Sequence, residues 1–277
     1  MTGRAGRRPP RLAPARPEPR VAREPSPRRR LVRAHVAGRV PGPTAGEVHA
    51  LVRRVVAGDR RALLGLDRFG ALTTDDVFDA LAEIWGWTGE DPAIDPGRTL
   101  AGIVELADRL SHVAARAGRV AFATARPASL LALHGALAAL AGAAGADVAA
   151  AVRTSPFRES GAPGRRVWWV DGVAALTDGA ALLAAGDAVV VDELLFELGR
   201  RPDLVVADGV FAGAAARAGL EVVALAGPGS VALGLAATRH VLSIVPLDET
   251  QPPVAYEPVV DVATRLVASR REEHLQH

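Results

Sequence analysis

The chain has 277 residues, 49% of them hydrophobic and 23% charged, enough for one large or two small globular domains with a real core. It contains no cysteine, which excludes disulfides and thiolate metal sites. The net charge of +2 hides a split: residues 1–40 hold 12 arginines against Glu18 and Glu24, a net of +10, and the remainder carries 21 arginines against 29 acids, a net of −8. An acidic body argues against the whole protein being a nucleic-acid binder.

All 33 basic residues are arginine, and asparagine is absent as well. GC-rich coding explains both, so arginine abundance alone carries no chemical message. Residues 1–43 are rich in Arg, Pro and Ala, have no periodicity and end in Pro41-Gly42-Pro43. They read as a disordered arm. Such an arm is able to touch nucleic acid or an anionic surface by neutralising phosphates; an unstructured extension with no role is the other reading. No apolar core of a signal peptide follows it, and no apolar run approaches the roughly 18 residues that span a bilayer. A cytoplasmic protein with no membrane contact is expected by default.

Residues 44–117 look helical. "TAGEVHALVRRVVAG" begins with Thr44 and Glu47 at capping-box spacing and ends at Gly58. "TTDDVFDALAEIWGW" offers Thr74 as N-cap, with Val77, Leu81, Ile84 and Trp85 on one face. "DPGRTLAGIVELADRLSHVAARAG" places Leu100, Ile103, Val104, Leu106, Ala107 and Leu110 on a stripe. Whether this part caps the core or packs on a sheet is open.

From Gly118 strands and helices alternate. "RVAFAT" is a strand, and a helix starts with Pro127 at a first-turn position. "ADVAAAV" reads as a second strand and "RVWWVDGVAALTDG" as a hairpin about Asp171-Gly172. "DAVVVDELLFELG" keeps helical spacing at Val191, Leu194, Leu195 and Leu198. Three apolar runs follow, at 203–207, 221–226 and 240–247, separated by helical segments at 210–219 and 229–238. That is β-α-β-α-β, which implies a Rossmann-like α/β fold: a mostly parallel sheet with helices on both faces, preceded by the helical segment. The expected divisions are the arm 1–43, the helical segment 44–117, the core 118–262 and a C-terminal helix or tail 263–277.

In open α/β sheets ligands bind beyond the carboxyl ends of the strands. Those ends carry Thr124, Arg126 and Ser129; then Asp208 and Gly209; then Gly227-Pro228-Gly229-Ser230; then Asp248 and Glu249. Helix N-termini with hydroxyl and guanidinium groups suit a phosphate. The carboxylates would repel a bare phosphate, a conflict that Mg²⁺ between them removes while orienting a water. Each residue also has a plain role: Thr124 and Ser129 as helix caps, Arg126 as a solvated or paired cation, Asp208-Gly209 as a turn, Asp248 and Glu249 as loop charges. His134 lies within a helix with no spaced partners, so it is not a credible ligand. No GxGxxG, Walker, HExxH or GxSxG pattern is present.

The segments "VAFATARPASLLALHGALAAL", "RRVWWVDGVAALTDGAALL", "RPDLVVADGVFAGAAARAGLEVVALA" and "VPLDETQPPVAYEP" resemble a family of GC-rich bacterial proteins catalogued simply as phosphatases, over roughly residues 72–262. "ATARP" and "DLVVADGVFAGAAARAGLEVVAL" are also similar to two motifs of haloacid-dehalogenase-like phosphatases. That second resemblance implies that Thr124 contacts phosphate and Asp208 a metal ion. The Asp-x-Asp nucleophile pair of those enzymes does not precede Thr124, and in the downstream "WWVDGVAALTDG" Trp169 stands at the nucleophile's place.

The expectation is a phosphatase-like hydrolase that cleaves a small phosphorylated metabolite with the help of Mg²⁺. Thr124, Arg126 and Ser129 would hold phosphate; Asp208, Asp248 and Glu249 would be catalytic, with Asp208 and Asp248 on the metal. The alternative is a non-catalytic regulatory module that binds a nucleotide or sugar phosphate and carries a basic arm.

Overall fold

The computed structural model describes residues 25–89, 93–150, 165–186, 188, 191, 194 and 198–275. Its first element is α1 (Pro27–Arg33), followed by β1 (Gly38–Arg39), which pairs antiparallel with β2 (Ala93–Ile94). Leu31, Val36 and Ala37 are wholly buried here. Residues 25–43 are therefore folded, although composition groups them with the disordered arm; a few apolar side chains among the arginines reach the core. The expectation for residues 1–24 lies outside the described residues.

The helix α2 (Ala45–Val56) starts as its spacing requires, with Thr44 and Glu47 exchanging capping-box bonds. The next helix, α3 (Thr74–Trp85), is capped by Thr73, one residue before the expected Thr74, because Asp76 then stands at the position that can return the bond. Asp95 caps α4 (Pro96–Ala115), which buries Ile103, Leu106 and Leu110.

Six buried residues make β3 (Arg119–Thr124), and α5 (Pro127–Ala144) follows. The second expected strand shrinks to β4 (Asp147–Val148), which pairs with the start of β3; residues 151–164 lie outside the described ones. The hairpin is β5 (Arg166–Val170) and β6 (Val173–Thr177). Asp171 and Gly172 both have positive φ, 48° and 79°, as a two-residue primed turn demands. A short β7 (Leu182–Leu183) pairs with β6. The helix expected over 187–199 falls mostly outside the described residues; Val191, Leu194 and Leu198 are helical and buried.

Then come β8 (Leu204–Ala207), α6 (Gly209–Arg217), β9 (Val222–Ala226), α7 (Val231–Thr238) and β10 (Ser243–Pro246). The sheet order is β10-β9-β8-β3-β6-β5, and every neighbouring pair along it is parallel except β5 with β6. The last helix, α8 (Glu257–Leu275), has 19 residues, starts before the expected boundary at 263 and is no loose tail: it packs on α4 and α5.

The helices α4, α5 and α8 cover one face of the sheet, and α6 and α7 the other, with α3 and α2 backing α7. Segment 44–117 is thus split between both faces rather than forming one cap. Trp85 of α3 fastens the second face: its indole N–H donates to the carbonyl of Ala226 at 3.0 Å. The ring fits because residue 234 is glycine; a Cβ there would lie 2.3 Å from it. α5 is long and apolar enough, by length and composition, to cross a membrane, contrary to the reading that no run comes close. In the structure it packs against β3 and α8 instead, burying Leu130, Leu133 and Leu137.

Candidate functional site

The strands β10, β9, β8 and β3 are adjacent and parallel, so their carboxyl ends form one edge. Thr124, Ala125 and Arg126 leave β3 there, Asp208 leaves β8, Gly227, Pro228, Gly229 and Ser230 leave β9, and Asp248 and Glu249 leave β10. The edge opens into a cleft of about 690 Å³ lined by Arg126, Gly227, Gly229, Asp248 and Glu249 from the sheet side. Glu47, Leu51 and Arg54 of α2 form the opposite wall.

At the base of the cleft Arg126 Nη2 stands 3.0 Å from Glu249 Oε1, and Ser230 Oγ donates to the same oxygen at 2.8 Å. The Glu249 side chain is only 3% exposed, whereas that of Arg126 is 41% exposed. Glu249 Oε2 is buried with no hydrogen-bond partner. Burial pushes the Glu249 carboxyl up to about 7. Arg126 and Ser230 oppose that rise, and the nearby Asp208 charge adds to it. Both α5 and α7 begin at this edge, and neither N-cap, Arg126 or Ser230, makes a side-chain capping bond. Their positive ends favour an anion in front of them.

The other expected residues meet at the same edge but do different work. Thr124 is fully buried, and its hydroxyl accepts the Arg126 N–H at 3.0 Å. It shapes the turn rather than facing a ligand. Ser129 donates its hydroxyl to the Glu249 carbonyl at 2.8 Å, tying α5 to the β10 loop. Asp208 has no exposure at all: Oδ1 accepts the Ala125 N–H at 2.9 Å, and Oδ2 lies 3.1 Å from His134 Nε2. Gly209, next to it, has φ of 52°, and a Cβ there would lie 2.8 Å from Ala125 Cβ, so α6 begins hard against the arginine turn.

Asp248 lines the cleft, but its oxygens are also engaged. Oδ1 accepts from Thr250 N–H and Oγ1, at 2.9 and 2.7 Å, and Oδ2 accepts from Gln251 Nε2 at 2.7 Å. The Tyr256 hydroxyl, whose pKa burial and the Asp248 charge push up, donates to the Asp248 carbonyl. Among the described residues no three His, Asp or Glu side chains stand where they could share a metal ion. The donor set therefore does not fit the Mg²⁺ site expected at Asp208 and Asp248. Asp208 is fully enclosed, and the Asp248 oxygens already accept three N–H and O–H bonds, so neither carboxylate is set out toward a cation.

The residues that sequence reasoning missed are His134, the Ser230 hydroxyl as a partner for Glu249, and the wall from α2. A histidine alone in an apolar helix carries no spacing signal, because its partner is 74 residues away in sequence. Nothing in a surface-helix pattern marks Leu51 and Arg54 as facing a cleft.

Fold and site together define an α/β protein with a cleft at the carboxyl ends of four adjacent parallel strands. The model of the family described as Phosphatase matches residues 23–270, and the chain belongs to that family. No curated protein and no solved structure matches it. The membership gives a phosphatase-like function in general terms, and the haloacid-dehalogenase likeness gains no support from it.

Proposed function

We propose that the protein hydrolyses a small phosphate monoester in this cleft, with Arg126 holding the phosphoryl group and Glu249 moving the proton. The observation that carries the reading is the pair itself: a half-exposed guanidinium in the cleft, bound to an enclosed carboxyl whose second oxygen has no partner. A guanidinium presents paired N–H groups that match phosphate oxygens. The open starts of α5 and α7 add fixed partial positive charge on the same side.

Substrate binding and proton placement are linked in this arrangement. Arg126 is the foremost of the groups that favour the ionised form of Glu249, ahead of the Ser230 hydroxyl and the Gly227 backbone. When phosphate draws the guanidinium toward itself, that support weakens and Glu249 holds its proton more firmly. A protonated Glu249 removes one negative charge from the neighbourhood of the anion. It then acts as general acid, handing its proton to the ester oxygen that leaves as water attacks phosphorus. Thr124, Ser129 and Asp208 hold the frame, through bonds to the Arg126 N–H, the Glu249 carbonyl and the Ala125 N–H.

The test is turnover of a panel of phosphomonoesters by the purified chain, with and without divalent cations. Hydrolysis that Arg126→Ala removes supports the reading. No turnover of any ester under any condition overturns it, and phosphate binding without turnover would favour the regulatory module instead.

A further inference from the structure

We propose that His134 is a positioning residue for the phosphate-binding arginine, acting through Asp208 on the backbone at 124–126. The proposal rests on the phosphatase reading for its kinetic consequence, but not for the chain of bonds behind it. His134 sits in the second and third turns of α5, has no solvent exposure and places Nε2 3.1 Å from Asp208 Oδ2. The opposite oxygen, Oδ1, accepts the Ala125 N–H at 2.9 Å. The very next N–H, that of Arg126, goes to Thr124 Oγ1. Two successive amides before the arginine side chain are thus fixed, one of them by a carboxylate that His134 holds.

The physical logic is the cost of a buried carboxylate. Asp208 is fully enclosed, so its oxygens must be satisfied by protein donors. It has two: the Ala125 amide and the His134 ring. Nδ1 of His134 is buried and has no partner, which assigns the ring N–H to Nε2, where it donates to Asp208. Without that donor, Oδ2 is left buried with no partner, and a carboxylate that moves to find one loosens its grip on Ala125. A misplacement of about 1 Å at a binding group is enough to cost on the order of 10²-fold in rate.

The experiment compares the wild-type chain with His134→Gln, whose amide keeps an N–H near the Nε2 position, and His134→Leu, which fills the space without a donor. Steady-state kinetics on p-nitrophenyl phosphate are read beside amide hydrogen exchange at Ala125 and Arg126. The expected result is a KM raised about tenfold or more in His134→Leu, a smaller change in kcat and faster exchange at Ala125. His134→Gln should stay within about threefold of wild type in both constants. KM does not depend on the fraction of molecules folded, so loss of stability alone does not mimic this split. A folded His134→Leu with wild-type KM and wild-type exchange overturns the proposal. Should that variant fail to fold, His134→Asn, whose amide reaches only the Nδ1 position, replaces it with the same expectation. If the wild type turns over no phosphate ester, the phosphatase reading fails on its own. The exchange data then judge the positioning claim: unchanged protection of Ala125 in the donor-less variant sinks it.

Discussion

Arg126 and Glu249 are an ion pair of unequal exposure: 3.0 Å apart, with the guanidinium 41% open to solvent and the carboxylate 3%. An exposed pair would contribute little, and a fully buried one would serve the fold alone. Here one partner is enclosed at the base of a cleft and the other lines the cleft with much of its side chain open to solvent. The sheet makes this possible. Arg126 follows β3 and Glu249 follows β10, three strands away in the sheet order. The Ser129 bond to the Glu249 carbonyl and the Ser230 bond to its carboxylate fix the two loops at the same height.

The first prediction concerns the arginine. Arg126→Ala removes the proposed phosphate-binding group and takes from Glu249 the cation beside it. We expect a loss in kcat/KM for phosphomonoesters of roughly 10²-fold or more, the usual scale for one charge-stabilising donor. Arg126→Lys should recover only a small part, because an ammonium lacks the paired geometry. Steady-state kinetics check both variants. Activity of the alanine variant within threefold of wild type is incompatible with a phosphate-binding role.

The second concerns pH. The folded-state pKa of Glu249 is about 7 against an ordinary 4.5, so the folded chain binds this proton more tightly than the unfolded chain. The stabilisation is fully present below about pH 4.5 and is lost as pH rises to about 7. Wild type should therefore lose about 3 kcal/mol relative to Glu249→Gln across that window, with denaturant unfolding at each pH as the measure. In kinetics, kcat/KM should fall as pH rises through about 7, and Glu249→Gln should lack that limb. Parallel stability curves for the two proteins would show that Glu249 does not titrate where its burial puts it.

Much of this was legible in the sequence. The alternation after Gly118 gave parallel strands, because Val- and Ala-rich runs buried on both faces need helices on each side. The rule that ligands gather at strand carboxyl ends brought Thr124, Arg126, Ser129, Asp208, Asp248 and Glu249 to one edge. What the sequence hid was which groups face outward. Thr124 and Asp208 look like ligands in the string, and only the folded chain shows their oxygens engaged by the Arg126 and Ala125 N–H groups and the His134 ring. Glu249 and Asp248 are neighbours in sequence, yet one has an unpartnered oxygen and the other none. Long-range pairs such as His134 with Asp208 leave no local trace. The arginines of residues 28–33 masked the few apolar residues that seat α1.

The third prediction follows from those spent oxygens. Asp208 and Asp248 are held by N–H and O–H donors, so turnover should persist within about twofold when divalent ions are removed by a chelator. Added Mg²⁺ should likewise change the rate by no more than about twofold. A tenfold loss on chelation, restored by Mg²⁺, would mean that the aspartates release their donors to take a cation.

The fourth tests the frame behind the arginine. Gly209→Ala demands a positive φ from a residue with a side chain and drives a methyl to 2.8 Å from Ala125 Cβ. We expect a loss of about 2 kcal/mol or more in unfolding free energy. KM should rise too, since the displaced neighbour is the residue before Arg126. Full stability with unchanged KM would show that the start of α6 and the arginine turn are not in tight contact.

The last concerns the wall opposite the pair. Leu51 of α2 is half-buried and lines the cleft across from the strand ends. Leu51→Trp adds a ring to that wall and leaves the Arg126 and Glu249 side chains themselves unaltered. The cleft, at about 690 Å³, has room for a small ester plus its leaving group. A bulkier wall should therefore discriminate by substrate size: KM for a large aryl or nucleoside phosphate should rise about tenfold, and inhibition by inorganic phosphate should stay within about twofold. Equal losses for large and small ligands would mean that α2 acts on the arginine pair itself, and identical constants for both proteins would mean that the leaving group sits elsewhere. Only the size-dependent pattern fits a phosphoryl group held at the strand ends with the rest of the substrate lying against α2.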